Sequence, residues 1–167
     1  MSDVLVRRAV RSDLPALLAI YNHYVLNTHV TFDIEARTLA QRHGWFDQFS
    51  EDGRLQCFAA ERAGQPIGWA CSQPFKDRAA YDSSVETSVY LAPGETGQGF
   101  GRPLYEVLLA NLAKTELHRA FAGIAQPNKA SVKVHEALGF AYVGTYGEVG
   151  RKFGRYWDVA WYQKPLP

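Results

Sequence analysis

Glu86 is the one carboxylate within a stretch of alternating side chains, Ser84–Leu91, and it is the first candidate for chemistry in this chain. Apolar and hydroxyl residues occupy every second position, and Glu86 shares the other side with Ser88 and Tyr90. This period of two predicts a β-strand. A carboxylate held inside such a strand can accept a proton from an attacking group such as an amine. The alternative is an ordinary strand carboxylate that faces water.

A glycine-rich loop, Pro93–Gly101, follows this strand, and the hydrophobic period then lengthens to that of a helix. The apolar stripe of the helix consists of Leu104, Val107, Leu108 and Leu112. Pro103 suits the first turn, where a missing N–H costs nothing. Small residues let the backbone approach a ligand, and the free N–H groups at a helix start attract phosphate. The stretch therefore predicts an anion cradle, with a β-to-α turn that binds nothing as the alternative.

Two phosphate-binding motifs share this order of elements, and neither matches the spacing. A P-loop needs Gly-Lys-Ser/Thr at the helix start, where this chain has Gly101-Arg102-Pro103. A dinucleotide-binding loop has the pattern G-x-G-x-x-G, whereas Gly97, Gly99 and Gly101 lie at every second residue.

His135 is a second candidate, on a helix that the sequence predicts over Lys129–Leu138. Asn128 suits the N-cap of this helix, and Gly139 suits a left-handed C-terminal cap. Ser131 and His135 share a helix face because they are four residues apart. Histidine titrates near neutral pH, which suits proton transfer. The alternative is a histidine on the helix surface or in a satisfied core.

The composition limits the class of protein and its partners. The 167 residues, 47% of them hydrophobic, are enough for one core and few for two. Eighteen Lys and Arg against 17 Asp and Glu give no field that favours nucleic acid or an anionic membrane. No apolar run reaches the length of a membrane span, and the N-terminus lacks the apolar region of a secretory signal. We therefore expect a cytoplasmic protein.

The two cysteines, Cys57 and Cys71, form no metal-binding pattern, and no metal is predicted. They lie at equal distances from Gly64, the predicted tip of a hairpin, so we expect them to be neighbours across it. In a reducing cytosol we expect two buried thiols without a disulfide.

The remaining patterns predict one α/β domain over residues 1–167, with the element order β-α-α-β-β-β-α-β-α-β-β. The predicted strands cover residues 4–9, 55–61, 66–72, 85–91, 120–125, 140–145 and 157–163. Ser12 or Asp13 caps the first predicted helix, and a second helix runs from about Leu39 to Phe49, with Trp45, Phe46 and Phe49 on its buried side. Hairpins imply antiparallel pairs and intervening helices imply crossovers, so we expect a mixed sheet. Residues 147–155 are expected to form a connection.

The chain resembles the GNAT N-acetyltransferases in two motifs. Thr96-Gly97-Gln98-Gly99-Phe100-Gly101 is similar to their acetyl-CoA loop, Arg/Gln-x-x-Gly-x-Gly/Ala, with Thr96 in place of Arg or Gln. Asn128-x-x-Ser131-x-x-x-His135, followed by Glu-Ala-Leu-Gly-Phe, resembles their second cofactor motif in the form found in phosphinothricin and methionine sulfoximine acetyltransferases. The loop Pro74-Phe75-Lys76-x-Arg78-x-Ala80-Tyr81 is similar to the Pro-Trp-Lys-x-Arg-x-Ala-Tyr loop of the same enzymes.

The resemblance implies a GNAT-like domain with a mixed, mostly antiparallel central sheet flanked by helices, and a homodimer. It implies that Glu86 is the general base and that His135 contacts the amine or relays its proton. Lys76, Arg78 and Tyr81 would hold the carboxylate of the substrate and its phosphinyl or sulfoximine oxygens, with Phe32 as an apolar wall. Acetyl-CoA would be held by Val89, Leu91, Gly97, Gln98, Gly99, Gly101, Arg102, Asn128 and Ser131.

Three functions stay open at this point. They are N-acetylation of a small amino acid or analogue, acetylation of another amine such as a protein N-terminus, and non-catalytic binding of acyl-CoA. Glu86 and His135 argue against the last, because a binding domain needs no proton acceptor. Lys76 and Arg78 argue against a large cationic acceptor.

Overall fold

The chain folds around one seven-stranded sheet, and the computed structural model describes residues 4–167, so residues 1–3 of the expected domain lie outside it. The strands are β1 Val4–Arg8, β2 Cys57–Arg62, β3 Gln65–Pro74, β4 Ser84–Leu91, β5 Arg119–Ala125, β6 Ala141–Lys152 and β7 Arg155–Pro165. Their order across the sheet is β1-β2-β3-β4-β5-β7-β6. Only the β4–β5 pair is parallel, so the prediction of a mixed, mostly antiparallel sheet is confirmed.

Four α-helices flank the sheet on its two faces. They are α1 Leu14–Asn27, α2 Leu39–Phe46, α3 Gly101–Leu112 and α4 Lys129–Ala137. Leu17 and Ile20 of α1 pack against Trp69 of β3 on one face, while Leu104 and Leu108 of α3 belong to the main core on the other. No helix in residues 4–167 is long and apolar enough to cross a membrane.

The structure confirms the predicted unit of strand, loop and helix, with alternating side chains on β4 and an apolar stripe on α3 that packs into the core. Val85 and Thr87 are buried under α3, while Glu86 points to the opposite face of β4. The amide of Ser131 donates to the Asn128 side chain over 3.1 Å, which confirms the predicted N-cap of α4.

The β2–β3 hairpin places its two cysteines as predicted. Cys57 and Cys71 are direct strand partners, and both are buried free thiols.

Helix α2 ends earlier than the sequence predicts. The aromatic period suggested a helix to Phe49, but the helix ends at Phe46, and Phe49 lies in the turn that follows. Trp45 and Phe49 are half-buried and pack against the core around Trp69, as predicted, whereas Phe46 is not part of that cluster and Arg42 is the fully buried residue of the helix.

The predicted connection over residues 147–155 is likewise wrong, because most of it belongs to β6. The strand continues to Lys152, and Gly147, Glu148 and Val149 together face the single residue Asp158 of β7. Glu148 has a φ of +53°, and its amide donates to the Asp158 carboxylate over 2.7 Å. This bulge breaks the alternation by which a strand is recognised in a sequence.

Candidate active site

Strands β4 and β5 run side by side at one end and then separate. Their registered pairs run from Ser84 with Arg119 to Glu86 with Phe121. Beyond that pair a cleft of about 450 Å³ opens between the strands, and we call it the β4–β5 cleft. On this side, the backbone of β4 from Ser88 to Leu91 has no strand partner in the described sheet. The N–H and C=O groups that point to this side therefore have no strand partner and can pair with a ligand that lies extended along β4, although the Tyr24 hydroxyl also donates to the Leu91 carbonyl over 2.6 Å.

The β4–β5 cleft brings together eight of the nine residues that the sequence assigned to acetyl-CoA. They are Val89, Leu91, Gly97, Gly99, Gly101, Arg102, Asn128 and Ser131. The ninth, Gln98, does not line the cleft, because its side-chain amide donates to the Gly94 carbonyl over 2.8 Å and so holds the loop itself.

The glycine loop has a conformation that suits an anion. Gly97 and Gly99 have φ values of +74° and +87°, which a residue with a Cβ adopts at a cost. No atom lies within 4 Å of a Cβ built at either glycine, so the conformation, not crowding, explains these residues. Helix α3 begins at Gly101 with its N-terminus at the cleft. The positive end of the helix dipole therefore favours an anionic group at this end of the cleft.

The Glu86 side chain lies on the other face of the sheet. It lines a second space, which we call the Glu86 cavity. This cavity has a volume of about 450 Å³ and lies beneath α1 and α2. Burial raises the pKa of the Glu86 carboxyl above its ordinary value. Ser88 and Tyr90 line both the Glu86 cavity and the β4–β5 cleft, so the two spaces adjoin along β4.

His135 lies within a hydrogen-bonded chain on the α3 side of the sheet. Its Nδ1 lies 2.7 Å from the Ser131 carbonyl, which can only accept, so Nδ1 carries the proton. Nε2 then accepts from the Tyr105 hydroxyl at 3.1 Å, and that hydroxyl also contacts the Thr87 hydroxyl. Burial lowers the pKa of His135, so the imidazole is neutral at pH 7.

The structure does not bring His135 into the Glu86 cavity. Adjacent strand residues point to opposite faces, and Thr87, which is linked to His135 through Tyr105, faces away from Glu86. His135 lines the β4–β5 cleft and is 3% exposed.

The predicted substrate residues lie around the Glu86 cavity and not in its wall. Lys76 and Arg78 are exposed on the loop after β3. Phe75 of that loop stacks on Phe121, the strand partner of Glu86, with ring centres 4.3 Å apart, and the Tyr81 ring packs against Phe75 at 5.9 Å. The loop is thereby fixed beside the Glu86 end of β4.

Phe32 is held by β6. A Cβ on Gly150 would lie 2.1 Å from the Phe32 ring, so the glycine leaves the space that this ring fills. Its neighbours Thr31 and Asp33 line the Glu86 cavity, but Phe32 does not.

Sequence reasoning missed the buried wall of the Glu86 cavity. The Arg42 guanidinium lies 3.4 Å from the Trp45 ring centre and 4.8 and 4.9 Å from those of Trp69 and Tyr21. The available signal was the three-residue spacing of Leu39, Arg42 and Trp45, which puts the arginine on the apolar face of α2.

A protein-family model described as an acetyltransferase (GNAT) domain matches residues 6–161. The chain belongs to the GNAT acetyltransferase family. It is 51% identical to the phosphinothricin N-acetyltransferase of Streptomyces coelicolor, over 99% of this chain and 98% of that protein. It is 35% identical to the L-methionine sulfoximine/L-methionine sulfone acetyltransferase of Pseudomonas paraeruginosa, over 96% and 94% of the two chains.

A solved GNAT structure adds the cofactor. The phosphinothricin acetyltransferase of Sinorhizobium meliloti, in complex with AcCoA, superimposes with a TM-score of 0.93 at 31% identity, over 99% of this chain and 89% of that one. The GNAT chain described here is an N-acetyltransferase that uses acetyl-CoA. In residues 4–167 no group of three or more His, Cys, Asp or Glu side chains is placed to hold a metal ion.

Proposed function

We propose that this GNAT protein is a cytoplasmic enzyme that transfers the acetyl group of acetyl-CoA to the amine of a small amino acid or analogue of the phosphinothricin or methionine sulfoximine/sulfone type. The names of the two relatives support this acceptor class. The observation that carries the proposal is the junction at Ser88 and Tyr90, where the β4–β5 cleft meets a cavity that contains the half-buried carboxylate of Glu86.

Glu86 is proposed as the general base. The bound cofactor supplies an activated acetyl group as a thioester. The acceptor enters as an ammonium ion, which has no lone pair and cannot attack until it loses a proton. Burial raises the pKa of the Glu86 carboxyl, which makes the ionised form a stronger base. The free amine would then form the N–C bond as the C–S bond breaks, and the second proton that the nitrogen loses would balance the proton that the departing thiolate takes up.

His135 is proposed to relay protons from the α3 side of the site. The chain from Ser131 through His135 and Tyr105 to Thr87 ends on β4, one residue from Glu86. Because the imidazole is neutral, it can accept a proton through the Tyr105 hydroxyl and release it again.

The glycine loop, the loop after β3 and the open edge of β4 are proposed to position acetyl-CoA and the acceptor. The β4 backbone at Val89 and Leu91 would pair with the pantetheine arm, while the glycine loop with Arg102 would hold the pyrophosphate. Asn128 and Ser131 would reach the arm from α4. On the acceptor side, Lys76, Arg78 and Tyr81 would bind anionic groups, and Phe32 would support the wall of the cavity from behind.

The active form is proposed to be a homodimer. Strand β6 is the edge of the sheet, and six large apolar or aromatic side chains of β6, β7 and the turn between them are more than half exposed. They are Tyr142, Val143, Tyr146, Val149, Phe153 and Tyr156. Light scattering should give twice the chain mass of 18.7 kDa, and a monomer at micromolar concentration would contradict the proposal.

An acceptor screen tests the function. Purified protein with acetyl-CoA is offered phosphinothricin, methionine sulfoximine, methionine sulfone, common amino acids and a set of peptides, and release of free thiol is recorded. We expect the highest kcat/KM among the small amino acids and analogues. Faster turnover of peptides would favour acetylation of protein N-termini, and turnover of none with tight acetyl-CoA binding would favour a non-catalytic domain.

A further inference from the structure

Arg42 is a buried cation in the wall of the Glu86 cavity, with no carboxylate partner in residues 4–167. The residue is 5% exposed, and every described ion pair involves other residues. Asp33, the other acid of the cavity, is occupied by Arg37 at 2.6 and 2.9 Å and by the Tyr21 hydroxyl at 2.7 Å. Asp33 is therefore not the counterion of Arg42.

Three buried N–H groups in this wall lack an acceptor. Nε and Nη2 of Arg42 and the indole Nε1 of Trp69 make no hydrogen bond within the described chain and are closed off from solvent. The aromatic faces of Trp45, Trp69 and Tyr21 stabilise the positive charge, but a ring face is a weak substitute for a hydrogen-bond acceptor. Burial lowers the pKa of the guanidinium, but an arginine side chain stays protonated in proteins, so the charge persists.

A buried and uncompensated cation is costly to keep, and such a site is stabilised when an anion enters beside it. The same cavity is lined by Glu86, which carries a negative charge when it is ionised. A cavity with one carboxylate and one guanidinium is complementary to a zwitterion, whose ammonium group is attracted to the first and whose carboxylate is attracted to the second.

We infer that Arg42 recognises the α-carboxylate of the acceptor and so restricts this enzyme to free amino acids. This inference rests on the proposed function and adds a division of labour to it. Arg42 would bind the α-carboxylate of the acceptor inside the cavity. Lys76 and Arg78 on the exposed loop would bind the oxygens of the acceptor side chain. A peptide N-terminus carries a neutral amide in place of that carboxylate and would leave Arg42 without a counterion.

The test compares three acceptors that share one side chain: L-methionine sulfone, its carboxamide, and 3-(methylsulfonyl)propylamine. Steady-state kinetics with saturating acetyl-CoA are measured for the wild type, Arg42→Gln and Arg42→Lys. The matched control is Arg11→Gln, because Arg11 also lies over an aromatic ring of α2, that of Phe46, but is exposed and paired with Asp47. Melting temperatures and acetyl-CoA binding are recorded for every variant.

The wild type should prefer the amino acid over its carboxamide by about 10- to 100-fold in kcat/KM, the range of a hydrogen bond to a charged group. Arg42→Gln should abolish most of this preference through a higher KM for the amino acid, while turnover of the amine changes little. Arg11→Gln should behave as the wild type. A preserved preference in Arg42→Gln would overturn the inference.

If Arg42→Gln does not fold, Arg42→Lys tests whether Arg42 determines the preference for the amino acid over its carboxamide. Lysine keeps the charge but loses the planar fork that matches a carboxylate, so the preference should fall at least about fivefold. An unchanged preference in Arg42→Lys would overturn the inference. A wild type that acetylates none of these three acceptors, nor phosphinothricin or methionine sulfoximine, would instead refute the proposed function and the inference that rests on it.

Discussion

Glu86 of β4 and Phe121 of β5 form the last registered pair between these two parallel strands. The carboxylate therefore lies where the sheet begins to open, at the start of the β4–β5 cleft and on the face that carries the Glu86 cavity. In the proposed mechanism, a base at this point is close to both spaces, so that the edge of β4 contacts the cofactor and its face contacts the acceptor.

Thr96 occupies the position at which the family motif has Arg or Gln, and it lines the β4–β5 cleft. Its hydroxyl donates to the Pro93 carbonyl over 3.1 Å, so it is turned toward its own loop. Thr96→Arg should strengthen acetyl-CoA binding about two- to fivefold, as an added and partly exposed ion pair does. Calorimetry measures this, with Ala110→Arg at the other end of α3 as the control for added charge. Equal acetyl-CoA affinities of the wild type, Thr96→Arg and Ala110→Arg would show that the residue at position 96 does not affect cofactor binding.

Arg78 should affect the side chain of the acceptor more than its carboxylate. If the exposed loop binds the acceptor's oxygens, Arg78→Ala should raise KM for phosphinothricin by an equivalent of about 1.5–3 kcal/mol. KM for methionine, which lacks the phosphinyl group, should change much less, and acetyl-CoA affinity should stay the same. Equal rises in KM for the two acceptors would contradict this assignment.

His135 should make the fold sensitive to acid. Its pKa is lowered by burial, so its contribution to stability is fully present above the unfolded value of 6.5 and is lost as the pH falls through the lower folded value. Melting temperature should therefore fall between pH 7 and pH 5, and less steeply in His135→Asn, which has no such proton to bind. His23→Asn on α1 is the control and should keep the wild-type slope. Parallel slopes for the wild type and His135→Asn would contradict this account.

The cofactor side of the site could be predicted from the sequence because local rules determine it. A strand with a period of two, a loop with left-handed glycines and a capped helix are each specified by neighbouring residues, and so the sequence predicted that Gly97, Gly99 and Asn128 lie together, as they do in the lining of the β4–β5 cleft. Glu86 was proposed because a carboxylate in such a strand is unusual, and its role stays a prediction.

The wall of the Glu86 cavity could not be predicted, because it depends on contacts between distant parts of the chain. Arg42 is a charged residue on a short helix, which usually indicates a solvated surface. Its burial follows from Trp69 and Tyr21, which come from a strand and another helix. The second half of β6 was missed for a different reason, since the bulge opposite Asp158 removes the alternation.

Glu86→Gln tests the central claim of general-base catalysis. The amide keeps the shape of the side chain but cannot accept a proton, so kcat should fall about 10²–10⁴-fold, the usual size of a general-base contribution. Acetyl-CoA affinity should stay unchanged, because other residues line the β4–β5 cleft. Since burial raises the pKa of Glu86, its ionised form costs stability above that pKa, and the variant should melt no lower than the wild type at pH 7.

The most direct measurement is the pH profile of kcat for the wild type, Glu86→Gln, His135→Asn and the exposed control Glu136→Gln. The account predicts that the wild type and Glu136→Gln share an acidic limb whose midpoint lies above the ordinary glutamate value of 4.5. That limb should be absent in Glu86→Gln together with most of the activity, while His135→Asn should keep it. A near-normal kcat in Glu86→Gln, with the activity and the limb lost in His135→Asn, would contradict the account and assign the base to His135.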